Sequence, residues 1–328
     1  MKVVFFNAFS YDRSCFDCGS GHEFIFVRER LDEVSAGKTA GSEAVCVSPD
    51  DILNDAVLKK LSAMQVKLVM VRSSGFDNVD FKAAAEYGLT VKWLPGYSPH
   101  AIAEHAAALL LALNRKVHLA FERVKKGDFS IEGLLGFNLY GKTAGIIGMG
   151  RIGCVLSEIM KGFGCTVLAH DAERKTVSGG PDVRYVSLRE LLEQSDIISL
   201  HCSLNGSTDR MINEVTLRSV KTGTLLINTA RGRLVDTRAV LEALKTGRLG
   251  GYGADVYEHE NMLSHHPSQT LDEIGDPLLK ELINTPGVLL TPHQAFLTRE
   301  SMNQLSHTII NELTFYEGVH RGTGRLII

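Results

Sequence analysis

Short apolar runs alternate with helix-period segments along most of the chain. Residues 2–6, 44–47, 67–71 and 90–92 read as strands, and 51–63 and 80–87 between them as helices. That alternation predicts parallel strands joined by crossover helices. Pro95-Gly96-Tyr97-Ser98-Pro99 closes this first series, its two prolines marking a hinge. From Ala101 to about Lys126 the pattern predicts one long, largely apolar helix buried between packed layers. A second series follows, with strands at 144–147, 166–169, 197–200, 225–228, 253–256 and 288–290. The helix after the first of these carries Ile152, Val155, Leu156, Ile159, Met160 and Phe163 on one face. Residues 256–277, polar and rich in histidine (His259, His265, His266), read as a loop. From Thr298 onward a last helix aligns Met302, Leu305, Ile309, Leu313 and Tyr316.

A chain of 328 residues has room for about two domains. Apolar residues at 44% and charged residues at 22% exclude a disordered chain and a coiled coil. With 35 Lys and Arg against 38 Asp and Glu, the net charge of −3 excludes a generally basic binder of nucleic acid or membrane surface. The longest apolar run, residues 106–113, is too short to span a bilayer. The first apolar run reaches Asp12-Arg13 too early for a signal peptide, so a cytoplasmic protein is expected. The 6 cysteines are scattered; Cys15 and Cys18 with His22 make only half a zinc site, so no metal is expected.

Gly148-Met149-Gly150-Arg151-Ile152-Gly153 fits G-x-G-x-x-G. The pattern gains weight from its setting, directly after a strand and opening an amphipathic helix. Glycines there let backbone approach a pyrophosphate, and the helix N-terminus offers N–H donors. Asp171, 18 residues past Gly153 at the end of the next strand, is placed to accept from the ribose hydroxyls and to repel a 2′-phosphate. NAD is therefore expected over NADP, although Arg174, three residues on, is able to neutralise a phosphate.

Three later strands run into polar groups: Asn228-Thr229-Ala230-Arg231-Gly232, Asp255-Val256-Tyr257-Glu258-His259-Glu260, and Thr291-Pro292-His293-Gln294-Ala295-Phe296. In a doubly wound sheet, ligands sit beyond the strands' carboxyl ends. An arginine, candidate carboxylates and a histidine there fit interconversion of a 2-hydroxy acid and a 2-oxo acid. A guanidinium holds a carboxylate in two bonds, and a histidine moves a proton near neutral pH.

These stretches, with Arg72-Ser73-Ser74-Gly75-Phe76-Asp77-Asn78-Val79-Asp80, Tyr97-Ser98-Pro99-His100-Ala101-Ile102-Ala103-Glu104-His105 and Tyr140-Gly141-Lys142-Thr143, resemble the D-isomer-specific 2-hydroxyacid dehydrogenase family nearly end to end. Within it the chain is most similar to the bacterial fermentative D-lactate dehydrogenases. The resemblance implies an α/β protein of two Rossmann-like doubly wound parallel-sheet domains. The NAD domain, 99–296, is inserted into a discontinuous substrate domain of 1–98 and the C-terminal helix, 297–328. It implies Arg231 as binder of the substrate carboxylate, His293 as acid/base and Glu260 as its partner. Backbone amides at Ser74 and Gly75 would also hold the carboxylate, and Tyr97 and Phe296 would line the pocket. Gly148, Gly150, Arg151, Ile152, Gly153, Asp171, Cys202, Ser203, Thr208, Thr229, Ala230, Arg231 and Asp255 match cofactor-contacting positions, Asp255 beside the nicotinamide.

The chain departs from the family in three places. Ser203 replaces the usual proline after Leu200-His201-Cys202, predicting a less rigid loop. Asn261-Met262-Leu263-Ser264-His265-His266 replaces an aromatic pair of close D-lactate dehydrogenases. Ser48-Pro49 stands where relatives often carry a bulkier group near the substrate side chain. The expected function is reversible reduction of pyruvate to D-lactate by NADH in a homodimer or homotetramer, without nucleic-acid or membrane partners. Alternatives are a dehydrogenase for larger oxo acids, such as phenylpyruvate or branched-chain ones, or an NAD-sensing corepressor-like binding protein.

Overall fold

The computed structural model describes residues 1–16, 21–73, 75–94, 96, 98–173, 183–260, 263 and 270–320. The chain forms two compact units, Met1–Ser98 with Leu297–Ile328, and Pro99–Phe296.

The first unit is built on β1 (Lys2–Phe5), β2 (Glu23–Phe26), β3 (Ala44–Val47), β4 (Leu68–Val71) and β5 (Thr90–Trp93). Their order is β2-β1-β3-β4-β5 and every pairing is parallel. β3 and β4 are wholly apolar and wholly buried, as the two-sided cover of a parallel sheet requires. β2 was not anticipated. It is a four-residue edge strand paired with β1, its Phe24 packing on Phe16 and its Phe26 on Phe5. The helix expected from residue 51 begins at Asp55, capped by Asn54. Residues 51–54 stay outside it because the Asp51 carboxylate accepts the backbone N–H groups of Leu31 and Ser48. The terminal helix, Arg299–His320, buries Met302, Leu305, Ile309, Leu313 and Tyr316, the stripe read from the sequence.

The second unit carries β6 (Thr143–Ile147), β7 (Thr166–His170), β8 (Arg184–Tyr185), β9 (Ile197–Leu200), β10 (Thr224–Asn228), β11 (Leu249–Ala254) and β12 (Val288–Leu290). They pair in parallel in the order β12-β11-β10-β9-β6-β7-β8. The chain starts in the middle at β6, winds out to β8, then returns to β9 and winds the other way. Two doubly wound parallel sheets are thus present, and the switch point of the second lies between β6 and β9.

Three expectations in this unit need correction. The strand expected at 253–256 runs instead from Leu249 to Ala254. Its start is masked by glycines whose missing side chains seat a helix: a Cβ on Gly251 would lie 2.8 Å from Leu113 Cδ2. The single helix expected from 101 to 126 is two, Pro99–Arg115 and Val117–Lys125, parted at Lys116 with φ 50°. Asn114 causes the break by bonding both backbone groups of Phe137, 2.8 and 3.0 Å away, and so drawing that segment onto the helix end. Finally, the loop read over 256–277 contains a helical turn, Leu271–Ile274, capped by Thr270. Its last residue, Pro277, opens the helix Pro277–Asn284.

Candidate active site

The glycine loop sits at the carboxyl end of β6, and its three glycines are required for three different reasons. Gly148 has φ 95°, and a Cβ there would lie 2.4 Å from the Cys202 amide nitrogen, so the loop after β9 packs flush against it. Gly153 lets the helix Arg151–Gly162 close on the loop, because a Cβ there would lie 2.1 Å from the Gly148 carbonyl oxygen. At Gly150 a Cβ would meet nothing within 4 Å. That position is kept bare towards open space, as approach of a ligand to the backbone demands. Gly150 is also the N-cap and gives the helix no side-chain cap, leaving its first N–H groups for an anion.

Asp171, just past β7, braces this loop. One carboxylate oxygen accepts the Met149 N–H at 2.6 Å and the other the Glu173 N–H at 3.0 Å. Across the switch point, His201 binds Ser199 Oγ through Nε2 at 2.8 Å, while its Nδ1 has no partner among the described residues. Burial pushes this imidazole down to about 4, so it is neutral at physiological pH. Burial likewise pushes the Cys202 thiol up to about 11, which keeps it protonated. The loop from Ser203 is not left slack by the missing proline. The Thr208 hydroxyl donates to the Ser203 carbonyl at 2.7 Å and accepts the Asn205 N–H at 2.8 Å. That hydroxyl, expected at the cofactor, is thus engaged within its own loop. Thr229 Oγ1 is buried with no partner among the described residues, as a group awaiting a ligand would be. Bare Gly150, the uncapped helix and this hydroxyl together suit a dinucleotide.

Arg231 lies on the turn after β10. Asn228, fully buried, accepts the Ala230 N–H at 3.1 Å and donates to the Arg231 carbonyl at 2.9 Å, so it shapes the turn that presents the guanidinium. Gly232 brings the turn onto the loop after β11: a Cβ there would lie 2.0 Å from the Tyr257 carbonyl carbon. That loop carries three acids whose roles the structure separates. Glu258 accepts the Thr237 N–H at 3.1 Å and pairs with Arg210 at 3.2 Å. Asp255 is buried and takes Thr291 Oγ1 at 2.5 Å, Gln294 N at 2.9 Å and Ala295 N at 2.7 Å. Burial alone would raise the Asp255 carboxyl, but these donors and His105 hold it below the ordinary range. Asp255, expected beside the nicotinamide, thus also braces the segment that bears His293. Glu260 lies with Oε2 3.4 Å from His293 Nδ1, and both side chains are 25% exposed.

His293 itself has φ 54°, a left-handed conformation uncommon for histidine. Its neighbours hold it there, through the Asp255 contacts and its own N–H to the Thr291 carbonyl at 3.0 Å. His105 completes the brace from the helix Pro99–Arg115, its Nε2 3.0 Å from Thr291 Oγ1. Asn228, His105 and Thr291 escaped notice as site residues. A histidine inside an apolar helix was the one signal. Gly75 lies in the first unit, where its carbonyl accepts the Ser73 hydroxyl. Phe296 is half-buried at the end of the second unit. Ser74, Tyr97, Arg174 and most of the Asn261–His266 departure lie outside the described residues.

The chain is similar to known proteins over nearly its whole length. The family model "D-isomer specific 2-hydroxyacid dehydrogenase, NAD binding domain" matches residues 107–295. A 2-hydroxyacid dehydrogenase homolog of Zymomonas mobilis is 42% identical, over 96% of each chain. The D-lactate dehydrogenase of Escherichia coli is 40% identical, over 97% of each chain. Among solved structures, that of the pyruvate reductase of Chlamydomonas reinhardtii superposes with a TM-score of 0.89 at 36% identity, covering 96% of each chain.

Proposed function

The chain belongs to the D-isomer-specific 2-hydroxyacid dehydrogenase family of NAD-dependent oxidoreductases, and from that premise we propose that it interconverts pyruvate and D-lactate. The observation that carries the reading is the His293–Glu260 pair, 3.4 Å apart, in the unit that holds Arg231 and the glycine loop. The relatives named for D-lactate and pyruvate support the choice of substrate.

The nicotinamide, when bound, supplies or accepts the hydride. Arg231 binds the substrate carboxylate and polarises the neighbouring carbonyl. His293 as imidazolium gives its proton to the carbonyl oxygen during reduction and takes it back during oxidation. Glu260 stabilises the imidazolium and orients the ring. Gly148, Gly150, Arg151, Ile152 and Gly153 hold the pyrophosphate and Asp171 the adenosine ribose, with Cys202, Ser203, Thr229 and Ala230 completing the cofactor's surroundings. Backbone amides at Ser74 and Gly75 receive the carboxylate, with Tyr97 and Phe296 about the substrate.

The proposed assembly is a homo-oligomer in the cytoplasm. Phe121, Phe129, Ile131, Leu135 and Tyr140 are 61–88% exposed, more aromatic and aliphatic surface than a monomer ordinarily leaves in water. Phe129→Glu with Leu135→Glu should sediment as a monomer where the wild type does not.

Steady-state kinetics with NADH on pyruvate, 4-methyl-2-oxopentanoate and phenylpyruvate tests the function. Pyruvate should lead in kcat/KM by about tenfold or more, with D-lactate as product. A larger kcat/KM for either bulky acid would replace pyruvate by that class, and L-lactate would overturn the reading outright.

A further inference from the structure

At the carboxyl edge of the first sheet, three loops are tied into one buried polar knot. Arg72, directly after β4, donates through Nη2 to the Phe6 carbonyl at 3.2 Å and the Asn7 carbonyl at 2.6 Å, beyond the end of β1. Its guanidinium lies 4.7 Å from the Phe5 ring centre and 3.9 Å from Asp12, and both charged side chains are buried. The Ser73 hydroxyl donates to the Gly75 carbonyl, and the Ser73 carbonyl accepts the Leu94 N–H at 3.1 Å. Further on, Asn78 Nδ2 donates to the carbonyls of Ser48 at 3.1 Å and Asp51 at 2.8 Å, past the end of β3. Ser48 is pinned in turn by Asn7 Nδ2 on its hydroxyl at 3.0 Å and by Asp51 on its N–H at 2.5 Å.

The chain is therefore held at Ser73, at Gly75 and at Asn78. Five backbone carbonyls are spent on three side chains there, with a buried ion pair beneath. Holding a loop so firmly has a use if its backbone must meet a ligand in one fixed geometry. We propose that Arg72, Ser73 and Asn78 are positioning residues for the substrate carboxylate, acting through the backbone at Gly75. This rests on the reading above that the amide there receives the carboxylate. A carboxylate contact is the same in bound substrate and transition state, so its loss appears in KM and leaves kcat alone.

The test uses Ser73→Ala and Asn78→Ala in the full chain, since removal of Arg72 would strand Asp12 and cost the fold. With saturating NADH, the KM for pyruvate and the inhibition constant of oxamate should rise together, about five- to tenfold, with kcat within about twofold of wild type. NADH affinity should be unchanged, and Ser73→Thr, which keeps the hydroxyl, should restore KM. Unchanged KM in both alanine variants would overturn the inference. So would a fall in kcat and NADH affinity without the KM effect, which marks general damage. Arg231→Lys separates this from the underlying reading. If it raises KM while both alanine variants behave as wild type, only the present inference fails. If it leaves pyruvate binding intact, the assignment of the carboxylate site fails first.

Discussion

Replacing Glu260 by Gln should move the pH profile of pyruvate reduction toward acid, and the site's geometry sets the size of the displacement. Reduction needs a proton on His293, so kcat/KM must fall as pH rises through loss of that proton. A carboxylate beside the ring favours its charged form and holds the falling limb at higher pH; Gln keeps the size and removes the charge. Unit charges separated by the observed 3.4 Å attract by about 1.2 kcal/mol with the screening of bulk water, and by about 5 kcal/mol at an effective dielectric of about 20. With a quarter of each side chain in solvent, the pair belongs toward the weaker end. One pH unit is about 1.4 kcal/mol, so the limb should shift by about 1 to 2 units. The assay is kcat/KM for pyruvate at saturating NADH between about pH 5 and 9, at one ionic strength, with His293→Ala as the floor. At the acid end, variant and wild type should converge, because the ring is protonated in both. An unshifted limb, or one displaced to higher pH, would refute Glu260 as the partner.

The glycine loop predicts opposite outcomes three residues apart. Gly150→Ala, entering open space, should weaken NADH binding about tenfold with little change in Tm, whereas Gly153→Ala, driving a Cβ to 2.1 Å from the Gly148 carbonyl oxygen, should cost about 2 kcal/mol of stability or more; matching behaviour in binding and melting would defeat the distinction. Asp171→Asn can still accept the Met149 N–H and should erode a preference for NADH over NADPH of about tenfold or more in kcat/KM, and equal use of both cofactors by the wild type would contradict the charge argument. Burial holds His201 at about 4 against about 6.5 in the unfolded chain, so the unfolded state binds the proton first and stability is lost as pH falls from about 6.5 through about 4, by up to about 3 kcal/mol. Urea midpoints of His201→Gln should fall less over that interval, and parallel curves would show that the ring does not titrate there.

What could be read in the residues depended on the range of the interaction that decides each feature. The glycine loop was legible because its three glycines fall within six consecutive residues, with strand and helix on either side. The buried stripe of the terminal helix was legible because periodicity is local. The break at Lys116 was not, since its cause is Asn114 engaging Phe137, 23 residues on. The first four residues of β11 were hidden because Gly250 and Gly251 stand there, Gly251 where a helix presses on the sheet, and a glycine in a strand reads as weakness. Ser203 misled in the same way. The stiffness a proline would have supplied comes from Thr208, five residues later.

The sharpest case is the run Asp255, Glu258 and Glu260, three acids within six residues, each able on paper to face His293. Only long-range partners tell them apart. Glu258 is taken by Thr237 and Arg210, Asp255 by Thr291 and two backbone N–H groups, and Glu260 lies against the imidazole. Two of the acids therefore act on one histidine by different routes. Glu260 acts on its charge. Asp255 acts on its backbone, because the amides it accepts, Gln294 and Ala295, follow a residue held at φ 54°. A left-handed conformation costs a residue such as histidine about 1–2 kcal/mol, and three donors on one buried carboxylate supply more than that. The ring can then sit over Glu260 without the freedom to swing away. Neutralising Glu260 should thus change when the proton is held, while neutralising Asp255 should change where, lowering kcat across the whole pH range without moving the limb.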